Sequence, residues 1–187
     1  MNEIILRILK FVRFIHVPRV VKYVLFRCIK GRNIPVQSKI GISEISITLD
    51  IGNFIEYWIF MDSLYEKDWV WLVQKYVEDK IFLNVGANIG AYDFSLARVA
   101  KHIYAFEPEP KNWKLLRENI ARNDLKNIVI LEKGLSDKTE ELGIAPRGAH
   151  SSFNIVSKDL SDKVKLVRLD DILKDKDNVS MIKMDIV

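Results

Sequence analysis

The spacing of apolar and polar residues predicts two helices at the start of this chain. Over residues 3–15, aliphatic and aromatic side chains recur at helical spacing between basic residues. Pro18 permits a break, and a second helical pattern over residues 20–30 stops near Gly31. The chain therefore opens with an amphipathic helical segment.

In the next part of the chain, the spacing of apolar residues changes twice. Residues 34–60 alternate in places between apolar and polar positions, which predicts one or two short antiparallel strands. Residues 61–79 return to helical spacing, with Asp62 and Ser63 as predicted N-terminal caps. We interpret this part as a preamble that packs against the main sheet.

From Ile81 onward, short apolar runs alternate with helical patterns. The predicted strands span residues 81–85, 102–107 and 128–132, and the predicted helices span residues 88–100 and 110–123. Such alternation is typical of parallel βαβ units in an α/β fold. Beyond them the pattern predicts loops, a hairpin through residues 151–156 and 163–169, a helical turn at 170–175 and a last strand at 180–187.

Length and composition favour one globular domain with three parts. The 187 residues are 49% hydrophobic and 29% charged, which is enough apolar material for one core. The predicted parts are a helical segment (1–33), the preamble (34–80) and a Rossmann-like domain (81–187). The single Cys28 and three widely spaced histidines (His16, His102 and His150) predict no internal disulfide and no metal, in a cytoplasmic, reducing compartment.

Charge is distributed unevenly along the chain. The net charge is +4, yet residues 1–32 alone carry +7 and the remainder carries −3. The basic helices either pack on the domain or on a second copy, or they lie on an anionic membrane surface. Charges interrupt every apolar run, so neither a membrane span nor a signal peptide is expected. The net acidic remainder argues against nucleic acid binding.

The best candidate for chemistry is the turn after the strand at 81–85. In the run Asn84-Val-Gly-Ala-Asn-Ile-Gly90, two glycines allow a sharp turn, close approach of a ligand, and free amides at the helix start. Alone, this is equally typical of a turn without a ligand. Glu107 follows Gly86 by 21 residues, close to the offset at which an acidic residue binds ribose hydroxyls. Together they predict a nucleotide-type site; a solvated carboxylate at a strand end is the alternative interpretation of Glu107.

Four runs together resemble the FkbM family of methyltransferases, over roughly residues 54–187. They are FLNVGANIGAYDFSLA, IYAFEPEPKNWKLLRENIARNDLKNIVILEKGLSD, VRLDDIL and MIKMDI. The resemblance implies a class I methyltransferase fold, S-adenosylmethionine as methyl donor, and O-methylation of a sugar or another small hydroxyl-bearing acceptor. A nicotinamide-dependent oxidoreductase fits less well, because the third glycine of its fingerprint is missing.

The resemblance also implies roles for individual residues. It assigns the methionine part of the donor to Asn84, Gly86, Ala87, Asn88 and Gly90, the ribose to Glu107, and the adenine to Pro108, Ser136 and Asp137. Asp185 follows the fourth strand, and it would face the methyl group and the acceptor. A polar residue at the sheet rim is an equally weighted interpretation of Asp185.

The chain departs from the family pattern at two places. Asn84 stands where the pattern has Asp, which removes a charge from the donor site and predicts weaker cofactor binding. The sequence also stops after the fourth core strand, which is expected to be an apolar edge. Either a partner or second copy covers this edge, or the protein is a degenerate fragment, or the sequence is incomplete. The alternative function is therefore a catalytically impaired remnant or a cofactor-binding module that lacks the acceptor half of the site.

Overall fold

The computed structural model describes residues 2–15, 17–41, 44–146, 154–157, 159–173 and 179–186. The helices in these ranges are α1 (Asn2–Phe14), α2 (Arg19–Ile29), α3 (Phe54–Asp62), α4 (Lys67–Val77), α5 (Ala91–Leu96), α6 (Pro110–Arg122) and α7 (Leu169–Ile172). The strands are β1 (Pro35–Ile40), β2 (Ile45–Asp50), β3 (Ile81–Val85), β4 (His102–Phe106), β5 (Ile128–Leu131), β6 (Gly134–Leu135), β7 (Glu140–Pro146), β8 (Asn154–Ser157), β9 (Lys163–Val167) and β10 (Val179–Met184). The predictions that involve His16, His150, residues 151–153, residues 174–175 and Val187 lie outside the described residues.

The central sheet is parallel and has the order β10-β3-β4-β5. Its first strand in the chain, β3, buries Phe82, Leu83 and Val85 completely. Burial on both faces is the reason why such a strand is a continuous apolar run, since helices cover both sides of a parallel sheet. The predicted Rossmann-like α/β fold with N-terminal helices is confirmed. Among the described residues, β10 pairs with β3 alone and forms an edge of this sheet.

A second, mixed sheet contains the four strands that lie between β5 and α7 in the chain. Its order is β6-β9-β7-β8, so β9 lies between β6 and β7. The predicted hairpin through residues 151–156 and 163–169 is wrong, because β7 pairs antiparallel with both β8 and β9. Residues 140–146 were expected to be loop because glycine and proline interrupt their pattern. Glycine is required there, since a Cβ at Gly143 would overlap Leu160.

The preamble begins with the predicted antiparallel pair. β1 and β2 pair with Val36 opposite Leu49 and Ile40 opposite Ile45, and these apolar residues are buried. Two asparagines, one in α6 and one at its C-terminal cap, cover the other edge of β2. The Asn119 side chain accepts a hydrogen bond from the Thr48 amide at 3.0 Å, and the Asn123 side chain accepts one from the Ser46 amide at 3.1 Å.

The last part of the region predicted as strand is helix α3. The helix buries Tyr57, Ile59, Phe60 and Met61, so it is apolar on most sides and lacks the one-sided pattern by which a surface helix is recognised. Its start is capped by Asn53, whose side chain accepts a hydrogen bond from the Ile55 amide at 3.0 Å. The predicted caps of residues 61–79 are therefore wrong. Asp62 is the last residue of α3, Ser63 is its left-handed C-cap, and α4 begins only at Lys67.

The two N-terminal helices pack on the preamble and share its core. Leu9 and Val12 of α1 and Phe26 and Ile29 of α2 are buried in the same apolar cluster as the inner residues of α3. The guanidinium of Arg13 fixes α1 further, donating to the hydroxyls of Ser38 at 2.8 Å and Ser63 at 2.6 Å. Within the described part of the chain, no helix is long and apolar enough to cross a bilayer.

Candidate functional site

The loop between β3 and α5 owes its shape to three residues with positive φ. Gly86, Asn88 and Gly90 have φ values of 79°, 52° and 86°. Glycine adopts this region without cost and asparagine tolerates it better than most residues. A Cβ at Gly86 would also overlap the carbonyl oxygen of Asp185. The loop occupies the first three residues of the helix predicted over 88–100, and α5 ends at Leu96, so it is shorter than predicted at both ends.

Four amides of this loop are already hydrogen-bonded within the protein. Gly86 and Ala87 both donate to the carbonyl of Phe106, at 3.0 and 2.9 Å, and Gly90 donates to Ala87 at 2.9 Å. The Asn88 amide donates to Oε2 of Glu107 at 2.7 Å. The loop is therefore bound to the end of β4 through the amides of Gly86, Ala87 and Asn88.

Glu107 connects three segments through one buried carboxylate. The residue is 5% exposed. Besides the Asn88 amide, it accepts hydrogen bonds at Oε1 from the Glu109 amide at 2.8 Å and from the Asn112 side chain at 3.4 Å. Burial raises the pKa of Glu107, while these hydrogen bonds lower it. A carboxylate offers about four acceptor positions, so capacity for a ligand hydroxyl remains.

One cavity of about 520 Å³ brings most of the predicted site residues together. This volume lies in the range of sites for small molecules and cofactors. Seven of the ten predicted residues contribute to its wall: Asn84, Gly86, Ala87, Asn88, Glu107, Pro108 and Asp185. They come from the ends of β3, β4 and β10, the edge at which parallel α/β sheets bind ligands.

The other three predicted residues do not line this cavity. A Cβ at Gly90 would overlap Leu116 of α6, so this glycine permits close packing of the loop on a helix. Ser136 and Asp137 bond to each other, with the hydroxyl donating to the carboxylate at 3.1 Å. Gly134 and Leu135, two residues earlier, line the cavity instead. The cofactor roles of Gly90, Ser136 and Asp137 stay predictions from the resemblance.

Sequence reasoning missed a polar wall opposite the glycine loop. It consists of Tyr65 and Glu66 between α3 and α4, Tyr92 of α5 and Lys183 of β10. The Tyr92 hydroxyl donates to Oε2 of Glu66 at 2.7 Å, and Nζ of Lys183 lies 4.9 Å from the centre of the Tyr92 ring. Burial, followed by the hydrogen bond to Glu66, raises the pKa of Tyr92, so its phenol stays protonated. No local motif marks these residues, since they converge only in the fold.

A second carboxylate lies directly behind Asn84. Asn84 is 1% exposed, and its Nδ2 donates to Oδ2 of the fully buried Asp93 at 3.0 Å. Burial raises the pKa of Asp93 to about 7 from its ordinary 3.8, although the bond from Asn84 and the charge of Lys183 both lower it. The Oδ1 atoms of Asn84 and Asp93 have no hydrogen-bond partner among the described residues. The carboxylate nearest to residue 84 is therefore that of Asp93, which is buried behind the wall of the cavity and does not line it.

Replacing Asp93 by Asn is expected to change how stability depends on pH. The folded state holds the Asp93 proton more tightly than the unfolded chain, so its contribution to stability is complete below the ordinary pKa of 3.8 and is lost as pH rises to about 7. The loss is on the order of 4 kcal/mol. Asp93→Asn should therefore raise the free energy of unfolding, relative to the unsubstituted protein, more at pH 8 than at pH 4. Urea unfolding at both pH values measures this difference.

The matched control for this substitution is Asp159→Asn, which removes an exposed aspartate outside the cavity. It should shift stability equally at the two pH values. An equal change in the free energy of unfolding at pH 4 and pH 8 for Asp93→Asn would contradict the raised pKa of Asp93.

Comparisons with known proteins agree with this geometry. The model of the methyltransferase FkbM domain matches residues 84–186, more than half of the chain. The chain is similar to the hexuronic acid methyltransferase AglP of Haloferax volcanii, with 27% identity over 135 residues that cover 71% of this chain. The match covers 56% of AglP, so the chain spans little more than half the length of this relative.

Similarity to solved structures is confined to part of the chain. An S-adenosylmethionine-dependent O-methyltransferase from Thermotoga maritima is 21% identical over 40% of this chain and 32% of that chain, with a TM-score of 0.35. A putative methyltransferase from Streptococcus mutans in complex with SAH is 20% identical over 35% of this chain and 40% of that chain, with a TM-score of 0.31.

Proposed function

Because the chain belongs to the methyltransferase FkbM family, we propose that it transfers the methyl group of S-adenosylmethionine to a hydroxyl oxygen of a sugar or another small hydroxyl-bearing acceptor. One observation carries the proposal. Glu107, the glycine loop and Asp185 line the same cavity, although they come from three different strand ends. One cavity thus offers the carboxylate of Glu107 for the ribose of the cofactor and the carboxylate of Asp185 for the acceptor.

The residues present fit the proposed cofactor. Gly86, with its positive φ, lets the carbonyl of Asp185 pack against the loop, so the end of β10 and the loop form one wall of the cavity. Glu107 keeps acceptor capacity for a ribose hydroxyl after its three bonds within the protein. Pro108, Gly134 and Leu135 supply small and apolar surface that suits an adenine ring.

Asp185 is the group that we assign to the acceptor. When bound, the cofactor supplies a methyl group already activated on a sulfonium. The carboxylate of Asp185 would take the hydroxyl proton of an acceptor aligned with the methyl group. Nζ of Lys183, 3.5 Å from Oδ2 of Asp185, stabilises the carboxylate in the orientation that faces the cavity. The remaining requirement is alignment of the two reactants.

A polyhydroxyl acceptor suits the polar wall of the cavity. Glu66 accepts hydrogen bonds, Lys183 donates them, and the neutral phenol of Tyr92 orients Glu66 at 2.7 Å. Hydroxyl groups of a sugar are both donors and acceptors, so they match this mixture. The name of the AglP relative, a hexuronic acid methyltransferase, adds support for a sugar, and Lys183 provides a cation for an acidic one.

Two measurements on the full chain test this function. Calorimetric titration with S-adenosylhomocysteine should show binding in the micromolar range, because Asn84 lacks the charge of the family pattern. Incubation with S-adenosylmethionine and a panel of neutral and acidic sugars should release S-adenosylhomocysteine. Binding without transfer would favour a cofactor-binding module that lacks the acceptor half of the site. No heat of binding with a folded protein would contradict both functions.

A further inference from the structure

The outer surfaces of α1 and α2 are strongly apolar. Phe11 and Phe14 of α1 are 66% and 86% exposed, and Val20 of α2 is 65% exposed. Other exposed apolar residues of the two helices are Ile4, Ile8, Val21, Tyr23 and Val24. We call this set the N-terminal apolar face. Contiguous exposed apolar surface of this kind marks a site of interaction with a protein or a membrane.

The opposite sides of both helices are already used by the fold. Leu9, Val12, Phe26 and Ile29 are buried in the core, and Arg13 is bonded to Ser38 and Ser63. Rotation of a helix to hide the apolar face would expose these core residues. The face is therefore held outward by the packing of the helices on α3.

Basic side chains surround this face. Arg7, Lys10, Arg27, Lys30 and Arg32 are exposed, and none of them forms an ion pair within the described ranges. The acidic residue of this segment is Glu3 alone. The exposed aromatic side chains of α4, by contrast, lie among charges of both signs, because that helix carries Lys67, Asp68 and Lys75 and is followed by Glu78. A large excess of positive charge thus accompanies the exposed apolar surface of α1 and α2.

We propose that α1 and α2 dock the protein on an anionic lipid surface. Apolar residues enter the boundary of the acyl chains while arginine and lysine contact the headgroups, as in interfacial amphipathic helices. Charge complementarity favours this partner over a second copy of the chain, because a two-fold contact would place the same positive face against itself. The inference stands on the surface of the helices and does not depend on the function of the cavity.

Flotation of the full chain with vesicles tests the proposal. We expect binding to phosphatidylcholine vesicles that contain about one third phosphatidylglycerol, and little binding to phosphatidylcholine alone. Removing three of the basic residues should weaken binding about 100-fold, since each contributes about fivefold near an anionic surface. High salt should weaken binding in the same direction. The charge variant combines Arg7→Gln, Lys10→Gln and Arg27→Gln.

An apolar variant and two matched controls complete the experiment. Phe11→Ser with Phe14→Ser should weaken binding at least about tenfold, because two aromatic side chains no longer enter the acyl boundary. The apolar control is Trp69→Ser with Tyr76→Ser on α4, which are similarly exposed. The charge control combines Lys101→Gln, Lys114→Gln and Lys165→Gln. Both controls should bind like the unsubstituted protein.

Several outcomes would overturn the proposal. One is absence of flotation with the anionic vesicles. Another is an equal loss of binding in the controls, which would indicate attraction by overall charge or by any exposed aromatic residue. A third is a dimer in light scattering that dissociates in the Phe11→Ser, Phe14→Ser variant without any vesicle binding by the parent, which would assign the face to self-association.

Discussion

Glu107→Ala is expected to lower the affinity for S-adenosylhomocysteine by about 10- to 150-fold, because a ribose hydroxyl would lose its acceptor and a hydrogen bond to a charged group contributes about 1.5–3 kcal/mol. The substitution also removes the bond from the Asn88 amide that holds the glycine loop against β4. Calorimetric titration with S-adenosylhomocysteine measures the affinity directly.

The control for this substitution is Glu132→Ala. Glu132 follows β5 as Glu107 follows β4, and it pairs with Arg117 on the surface, outside the cavity. The Glu132→Ala variant should bind S-adenosylhomocysteine with an affinity within about twofold of the parent, since a surface ion pair contributes at most about 1 kcal/mol to stability. Thermal unfolding without ligand shows whether the loop has loosened. An unchanged affinity in Glu107→Ala would contradict the assigned ribose site.

Asp185→Asn is expected to lower kcat for methyl transfer by about 100-fold or more, which is the range for loss of a positioned general base. The amide has nearly the same size, so it preserves the backbone contact with Gly86 but cannot take the hydroxyl proton. Affinity for S-adenosylhomocysteine should change by less than about threefold, because the proton acceptor acts on the acceptor and not on the donor. Initial rates at saturating cofactor measure kcat.

Asp170→Asn provides the comparison for Asp185. Asp170 pairs with Arg168 on the surface and lies outside the cavity, so its loss should leave both kcat and affinity unchanged. Parent-like kcat in Asp185→Asn would remove this residue from the chemistry. It would leave Glu66, the other carboxylate of the polar wall, as the group to substitute next.

The pair of Asn84 and Asp93 changes the interpretation of the departure from the family pattern. From the sequence, Asn84 removes a carboxylate from the donor site. In the fold, the Asp93 carboxylate accepts a hydrogen bond from Asn84 at 3.0 Å. An aspartate at 84 would place two carboxylates side by side in a buried position, which disfavours ionisation of both. The amide of Asn84 avoids this repulsion, because it carries no charge and donates a hydrogen bond to the Asp93 carboxylate.

Several parts of the protein were determined by the sequence alone. Continuous apolar runs identified the strands β3, β4 and β5, and the offset between Gly86 and Glu107 identified the edge at which the cavity lies. Both signals are local, because strand burial and the glycine turn are properties of short stretches of chain. Similarly, the helical spacing of the first thirty residues predicted α1 and α2.

The tertiary structure alone decided the rest. Helix α3 is buried on most sides, so no one-sided pattern distinguishes it from a strand, and β7 contains the glycine and proline that usually indicate a loop. The polar wall depends on Glu66 meeting Tyr92 and on Lys183 approaching from β10, far apart in the chain. Such contacts depend on how the elements pack and leave no periodic trace in the sequence. For the same reason, only the fold reveals that Asp93 lies behind Asn84 and that the amides of the glycine loop are already bonded.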